Sequence, residues 1–403
     1  MLPYYIFFSF FGLATSLDYV NQYDYYLQLI RKLSFCAGFI LIAFFVGFRY
    51  KLGSDWVNYI VDYQNSKSLF DLFQGDNLAF STDLTEPGYK ILMSLFKEFG
   101  FNFYGFVFFI TCFNTCSLFN FLSKNEIKNK FVFLAIILIL TTFIEFDILR
   151  QSIAFHIMLF AFVNKETKFL VYFSLMALSM TFHYTAIIFS VFYFYEKIKL
   201  NKNMIAGMTV IYAITLFITI PILTTSLKFI APVVGGTISS ILEKAVGLIE
   251  GFNFHRTLSF TSLLNIVFLM LLANKRDYSG LSVIESILVK MFVFYIAINI
   301  CFKEIQEVAD RFSYYFNFGI AYMFCLLPGL IKFREKRILI LTVPIIFIYM
   351  RLFLHFKDQA IWYGQTPYRN YLFSNDRDDR VIMSRYKMMM NIRGSENDQK
   401  NTK

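Results

Sequence analysis

The stretch KFVFLAIILILTTFIEFDILRQSIAFHIMLFAFV, residues 130–163, holds two apolar runs of helical length parted by a short charged step carrying Glu145, Asp147 and Arg150. Neither run alternates apolar with polar residues, so a half-buried strand or the wall of an outer-membrane barrel fits poorly. Inside hydrocarbon each run has to satisfy its own backbone hydrogen bonds, and a helix does so within one segment. The pair therefore predicts two membrane-spanning helices joined at one face.

Runs of the same kind recur along the chain. They cover roughly residues 2–18, 31–48, 103–122, 130–146, 148–164, 168–182, 184–198, 203–222, 256–273, 283–302, 311–331 and 337–356, with 87–99 as an added interfacial or half-membrane helix. The expected fold is an all-α polytopic integral membrane protein of about 12–13 transmembrane helices. Composition agrees, since 57% of the 403 residues are hydrophobic and only 16% charged, against about a quarter charged in soluble domains. Residues 1–356 read as a single transmembrane domain with outer segments at 49–86 and 223–255, and residues 357–403 as a charged C-terminal tail. The first apolar run has no basic leader and reads as a retained helix.

The net charge of +10 does not point to nucleic acid. Its lysines and arginines sit in short loops, at Arg31 and Lys32, Lys124 to Lys130, Lys165 and Lys168, Lys197 to Lys202, Lys275 and Arg276, and Lys332 to Arg337. These are alternate loops, and positive charge marks the cytoplasmic side. Both termini and the two outer segments then face outward, although the basic content of the tail argues against its outside placement. The five cysteines lie in apolar runs without ligand spacing, no histidine and carboxylate set suggests a metal, and no glycine-rich loop suggests a nucleotide. The expectation is a protein without metal or cofactor.

Six charged positions fall on the outer end of the spans: Arg49, Glu86, Arg150, His183, Arg256 and Arg311. Ionisable groups at membrane depth are costly, and four arginines there run against the bias that the other loops obey. Snorkelling to lipid phosphates, or pairing with Asp147 or Asp310, is the plain explanation for any one of them. As a cluster they suit the phosphate oxygens of an anionic lipid head group, which a guanidinium binds with two parallel donors. The same charges would stabilise a departing diphosphate. His183, in the turn TFHYTA, is a candidate base, with Asp55 or Glu86 as alternatives, while satisfying a backbone group in the turn is an equally open role for it. Around Asp55, the positions Trp56, Tyr59, Ile60 and Tyr63 share one stripe of a surface helix. The segment 223–255 reads as a lid over a cavity or as an inert connection.

These residues carry a resemblance. GFRYKLGSDWVNYI at 47–60, EPGYKILMSLFKEFGFNF at 86–103, LRQSIAFHIMLFAF at 149–162, FHYTAIIF at 182–189 and RFSYYF at 311–316 together resemble the EpsG-like branch of the Wzy-type polysaccharide polymerases. The likeness runs to about Tyr322. It implies joining of O-antigen, capsule or exopolysaccharide repeat units carried on undecaprenyl diphosphate, at the outer face of the bacterial inner membrane. Membrane lipids and a chain-length-regulating co-polymerase are the further partners implied. A flippase of lipid-linked oligosaccharide, or an O-antigen ligase with the same donor, are the rival readings. On chemistry and position, Arg150 and Arg311 are expected to grip the donor diphosphate, Arg49 and Arg256 to assist, and His183 or Asp55 to activate the acceptor hydroxyl. Glu86 is placed on the substrate side, and Trp56, Tyr59, Tyr89, Tyr184 and Tyr314 are expected along the sugar path.

Overall fold

In the computed structural model of the chain the described residues are 1–19, 24–67, 69–70, 85–163, 168–218, 222–234, 246, 259–274, 280–330, 334–373 and 379–401. Among them are α-helices and short 3-10 turns, no strand, and one isolated bridge between Arg49 and Asn370. The chain is an all-α membrane protein. In order, the helices are α1 (Leu2–Ala14), α2 (Tyr25–Gly47), α3 (Trp56–Asn65), α4 (Pro87–Glu98), α5 (Phe103–Lys124) and α6 (Lys130–Glu145). Next come α7 (Leu149–Val163), α8 (Phe169–Met180), α9 (Ile188–Tyr195), α10 (Lys202–Phe217), α11 (Ile222–Val234) and α12 (Phe260–Ala273). The last six are α13 (Val283–Cys301), α14 (Gln306–Tyr314), α15 (Asn317–Leu326), α16 (Arg334–Lys357), α17 (Gln359–Gln365) and α18 (Asp379–Asn401).

Several helices begin where a short polar side chain takes up the open backbone donors. Asp24, Asn102, Asn201 and Ser259 do so for α2, α5, α10 and α12, and Ser282 with Glu285 forms a reciprocal capping box at α13. By length and composition α2, α5 and α13 are each sufficient to cross a membrane. Apolar helices such as α7, α8, α10, α12 and α15 are shorter. At 15 residues α7 rises about 22 Å, less than a hydrocarbon core of about 30 Å. The expected span 311–331 is two helices, because polar α14 ends at Tyr314 and apolar α15 starts only at Asn317.

Contacts group the chain into two compact units. Met1–Val191 with Phe324–Ile392 form the first, and Phe192–Met323 with Arg393–Lys403 the second. Within the first, α5 lies along α2 and α7, α7 packs on α8, and α1 and α16 cover α6. With lipid as apolar as the helices themselves, polar contacts help hold such neighbours together. Asn114 donates to Ser152 Oγ at 3.0 Å and Ser117 Oγ to the His156 carbonyl at 2.8 Å, tying α5 to α7. The tail folds back onto this unit. Tyr371 N donates to the Phe48 carbonyl at 2.7 Å and Tyr50 N to that of Arg369 at 3.0 Å, so residues 369–371 lie beside the first outer segment.

Within the second unit α10 packs on α12 and α13, and α13 on α14. Phe192, Phe294 and Phe316 form an aromatic knot with centroids 4.8 to 5.4 Å apart. Asn299 donates to Ser313 Oγ at 2.9 Å, fixing α14 against α13. The expected lid segment falls mostly outside the described residues, although α11 occupies its start.

Candidate functional site

Pro87 and Gly88 account for how the site is assembled. Proline at the first helical position starts α4 at no cost in hydrogen bonds, since that N–H would be unpaired anyway. Gly88 N donates to the Thr181 carbonyl at 2.8 Å, and a Cβ at position 88 would come within 2.9 Å of that same oxygen. Only glycine permits this approach, which clamps the start of α4 to the end of α8. Each helix end carries an ionisable residue. Glu86 lies just before α4, and His183 opens the 3-10 turn Tyr184–Ile187 that follows α8.

Glu86 is 2% exposed and accepts from two partners. Its Oε2 takes Arg150 Nη1 at 2.5 Å and its Oε1 takes His183 Nδ1 at 2.7 Å. Burial pushes the Glu86 carboxyl up, but the His183 hydrogen bond and the Arg150 charge outweigh it and leave the group below its usual carboxylate range. With Glu86 ionised, His183 Nδ1 is the donor of this bond, and in the tautomer so fixed Nε2 is left as the acceptor, an assignment made from the bonding network. Arg150 stands in the first turn of α7 with 30% of its side chain exposed. One end of its fork is held while part of it stays accessible.

Tyr59 borders the same place. Its hydroxyl adjoins Arg150 and donates to the Asp147 carbonyl at 3.0 Å. Asp147 in turn organises the preceding loop, its Oδ1 accepting the N–H groups of Ser54 and, at 3.1 Å, Asp55. Gly53 makes this possible through a positive φ of 98°, at a point where a Cβ would collide with the Asp147 carboxylate. Asp55 thereby becomes the residue before α3, half-exposed beside Asp147. Tyr89 is fully buried, its ring centroid 6.2 Å from that of Tyr59, and its hydroxyl has no hydrogen-bond partner among the described residues.

The structure thus gathers Glu86, Arg150, His183, Asp55, Tyr59 and Tyr89 in the first unit. Arg49 belongs to this unit too but spends its donors differently. Its Nη1 donates to the Val46 carbonyl at 2.8 Å and its Nη2 to that of Glu145 at 3.4 Å, with the guanidinium 5.2 Å from the Phe146 centroid. It closes the carbonyl ends of α2 and α6. Trp56 packs with Tyr50 and Ile382, and Tyr184 is 57% exposed. Arg311 and the buried Tyr314 stand in the second unit, where Arg311 Nη2 pairs with Glu307 at 2.7 Å one helical turn away. Arg256 lies outside the described residues. Among the described residues no group of histidine, cysteine or carboxylate side chains is arranged to hold a metal ion.

The sequence presents Asp147 only as a partner for a boundary arginine and assigns Gly53 and Gly88 no contact. The signal was present in the motifs Gly-Ser-Asp and Glu-Pro-Gly-Tyr. What those glycines touch could not be read from them.

The family model for the EpsG family matches residues 32–370, which is most of the chain and takes in every residue of this cluster. The chain belongs to the EpsG family. No curated protein and no solved structure matches it.

Proposed function

Taking EpsG membership as the premise, we propose that the chain is a polysaccharide polymerase of the inner membrane that moves a growing glycan from undecaprenyl diphosphate onto a lipid-linked repeat unit at the periplasmic face. Membership itself carries the general function, polysaccharide synthesis by a membrane glycosyltransferase-like polymerase. The single observation supporting the finer statement is that Glu86 accepts from both Arg150 and His183. One carboxylate thereby fixes a base and a phosphate-binding cation relative to each other.

The chemistry follows from that arrangement. An acceptor sugar hydroxyl attacks the anomeric carbon of the donor sugar, the bond from that carbon to the diphosphate oxygen breaks, and undecaprenyl diphosphate leaves. His183 Nε2 takes the hydroxyl proton, while Glu86 holds the ring in the required tautomer and stabilises the imidazolium. Arg150 meets the negative charge growing on the leaving diphosphate. Tyr59 keeps the guanidinium in place. Arg49 acts here as a clasp on helix ends rather than as a phosphate ligand.

Gel analysis of surface polysaccharide from cells carrying Arg150→Ala, Arg150→Lys and His183→Ala is the test. His183→Ala is expected to slow polymerisation by about 10²–10⁴-fold, the usual worth of a positioned base. Arg150→Ala is expected to abolish the ladder, and Lys to restore little of it, because a point charge does not reproduce the fork. A full ladder from Arg150→Ala at normal protein level would exclude the diphosphate role.

A further inference from the structure

A second feature of the first unit has no part in the bond-breaking step. Between α3, the start of α5 and the returning tail lies a cavity of about 630 Å³ walled by aromatic rings. Tyr104 stacks on Tyr371 with centroids 4.4 Å apart and planes at 19°, and Tyr50 continues the wall 5.0 Å from Tyr104. Trp56 lines the same cavity with Lys51 Nζ 5.5 Å from its ring. The rings are fixed from behind. Asn102 Nδ2 donates to the Tyr371 hydroxyl at 3.0 Å while Asn102 Oδ1 accepts Gly105 N–H at 2.9 Å, and the backbone of Tyr371 is bonded to Phe48.

We propose that this cavity is the glycan subsite, holding sugar residues of the lipid-linked substrate by stacking on Trp56, Tyr104 and Tyr371, and it rests on the polymerase function proposed above. A prenyl or acyl chain calls for dry apolar walls. Here the lining is mostly ring faces, with the polar side chains Gln64, Asn102, Lys51 and Lys97 set among them. That mixture suits a pyranose, whose C–H faces pack on aromatic rings while its edge hydroxyls seek hydrogen bonds. The volume falls in the range of about 300–1,000 Å³ typical of small-ligand sites. Position agrees as well. Trp56 and Tyr59 share α3 and are three residues apart, so a residue of the cavity wall and the residue that borders Arg150 are separated by about 4.5 Å of helix rise. A glycan whose diphosphate sits at Arg150 therefore has its sugars near this wall.

The chain has two tryptophans, and only Trp56 lies in the cavity, which makes fluorescence the direct readout. Trp362→Phe leaves Trp56 as the sole reporter in the purified full-length protein. The probe is a set of lipid-free and phosphate-free oligosaccharides, two to four repeat units long, cut from the host's own surface polysaccharide. A saturable change in Trp56 emission is expected, weakened at least about tenfold by Tyr104→Ala with Tyr371→Ala and unaltered by Arg150→Ala. Tyr371→Phe keeps the ring, and is expected to bind within about twofold of the parent, so it separates stacking from misfolding. The subsite is overturned if the saccharide leaves emission unchanged, if the double alanine variant binds like the parent, or if undecaprenyl phosphate in detergent shifts emission and the saccharide does not. Failure of the polymerase function reads differently. Arg150→Ala would then keep its ladder whatever Trp56 reports.

Discussion

Exchanging Glu86 for glutamine removes one charge and almost no volume, so it isolates the bridging role of this carboxylate. The amide oxygen can still accept from Arg150 but without the carboxylate's charge, and His183 Nδ1 loses its anionic acceptor; each charge-assisted bond is worth about 1.5–3 kcal/mol, the smaller figure applying to Arg150 because its guanidinium is partly exposed. A lower unfolding temperature of the detergent-purified protein and loss of the polymer ladder are expected together. Thermal stability unchanged from wild type would show that the bridge carries no load. The same pairing sets a pH dependence. Because the folded-state pKa of Glu86 is depressed, its contribution is fully present above the ordinary carboxylate range and is lost as pH falls through the lowered value. Melting curves should therefore show wild type losing its advantage over Glu86→Gln as the solution is acidified, and a gap that widens in acid would contradict this sign.

At the scale of helices, the decisive contact is between α4 and α8. Gly88→Ala forces a methyl group towards the Thr181 carbonyl, and since that atom is backbone it cannot swing aside. The expected cost is about 1–3 kcal/mol with a parallel loss of polymer, as α4 shifts and carries Glu86 away from His183. Gly207, within α10, meets nothing within 4 Å. Gly207→Ala should gain about 0.5–1 kcal/mol from helix propensity alone. Comparing the two melting temperatures checks both statements, and equal effects would dismiss the clamp. Apolar length made most of these helices legible in advance. The division of 311–331 into α14 and α15 was not, because average hydropathy over a window blends a polar turn into the apolar run beside it.

For the molecule as a whole, the tail is the informative part. Its basic residues left its side of the membrane open, yet Tyr4 Oη donates to the Gln365 carbonyl at 2.6 Å and Tyr368 Oη to that of Phe45 at 2.7 Å. The tail is thus fastened to the end of the first unit that carries Arg49, and reporters fused after Asn65 and after Phe373, of a kind active only outside the plasma membrane, should give the same reading. Opposite readings would sever the tail from this end. Sequence by itself determined that the chain is a helical membrane protein and that Glu86, Arg150 and His183 stand next to apolar runs, because hydrophobic period acts over a few residues. Tertiary structure alone decided that these three meet, and that Arg49 is diverted to the carbonyls of Val46 and Glu145. Glu86 and His183 are 97 positions apart, and their meeting depends on one glycine against one carbonyl, a contact between surfaces that no local pattern encodes.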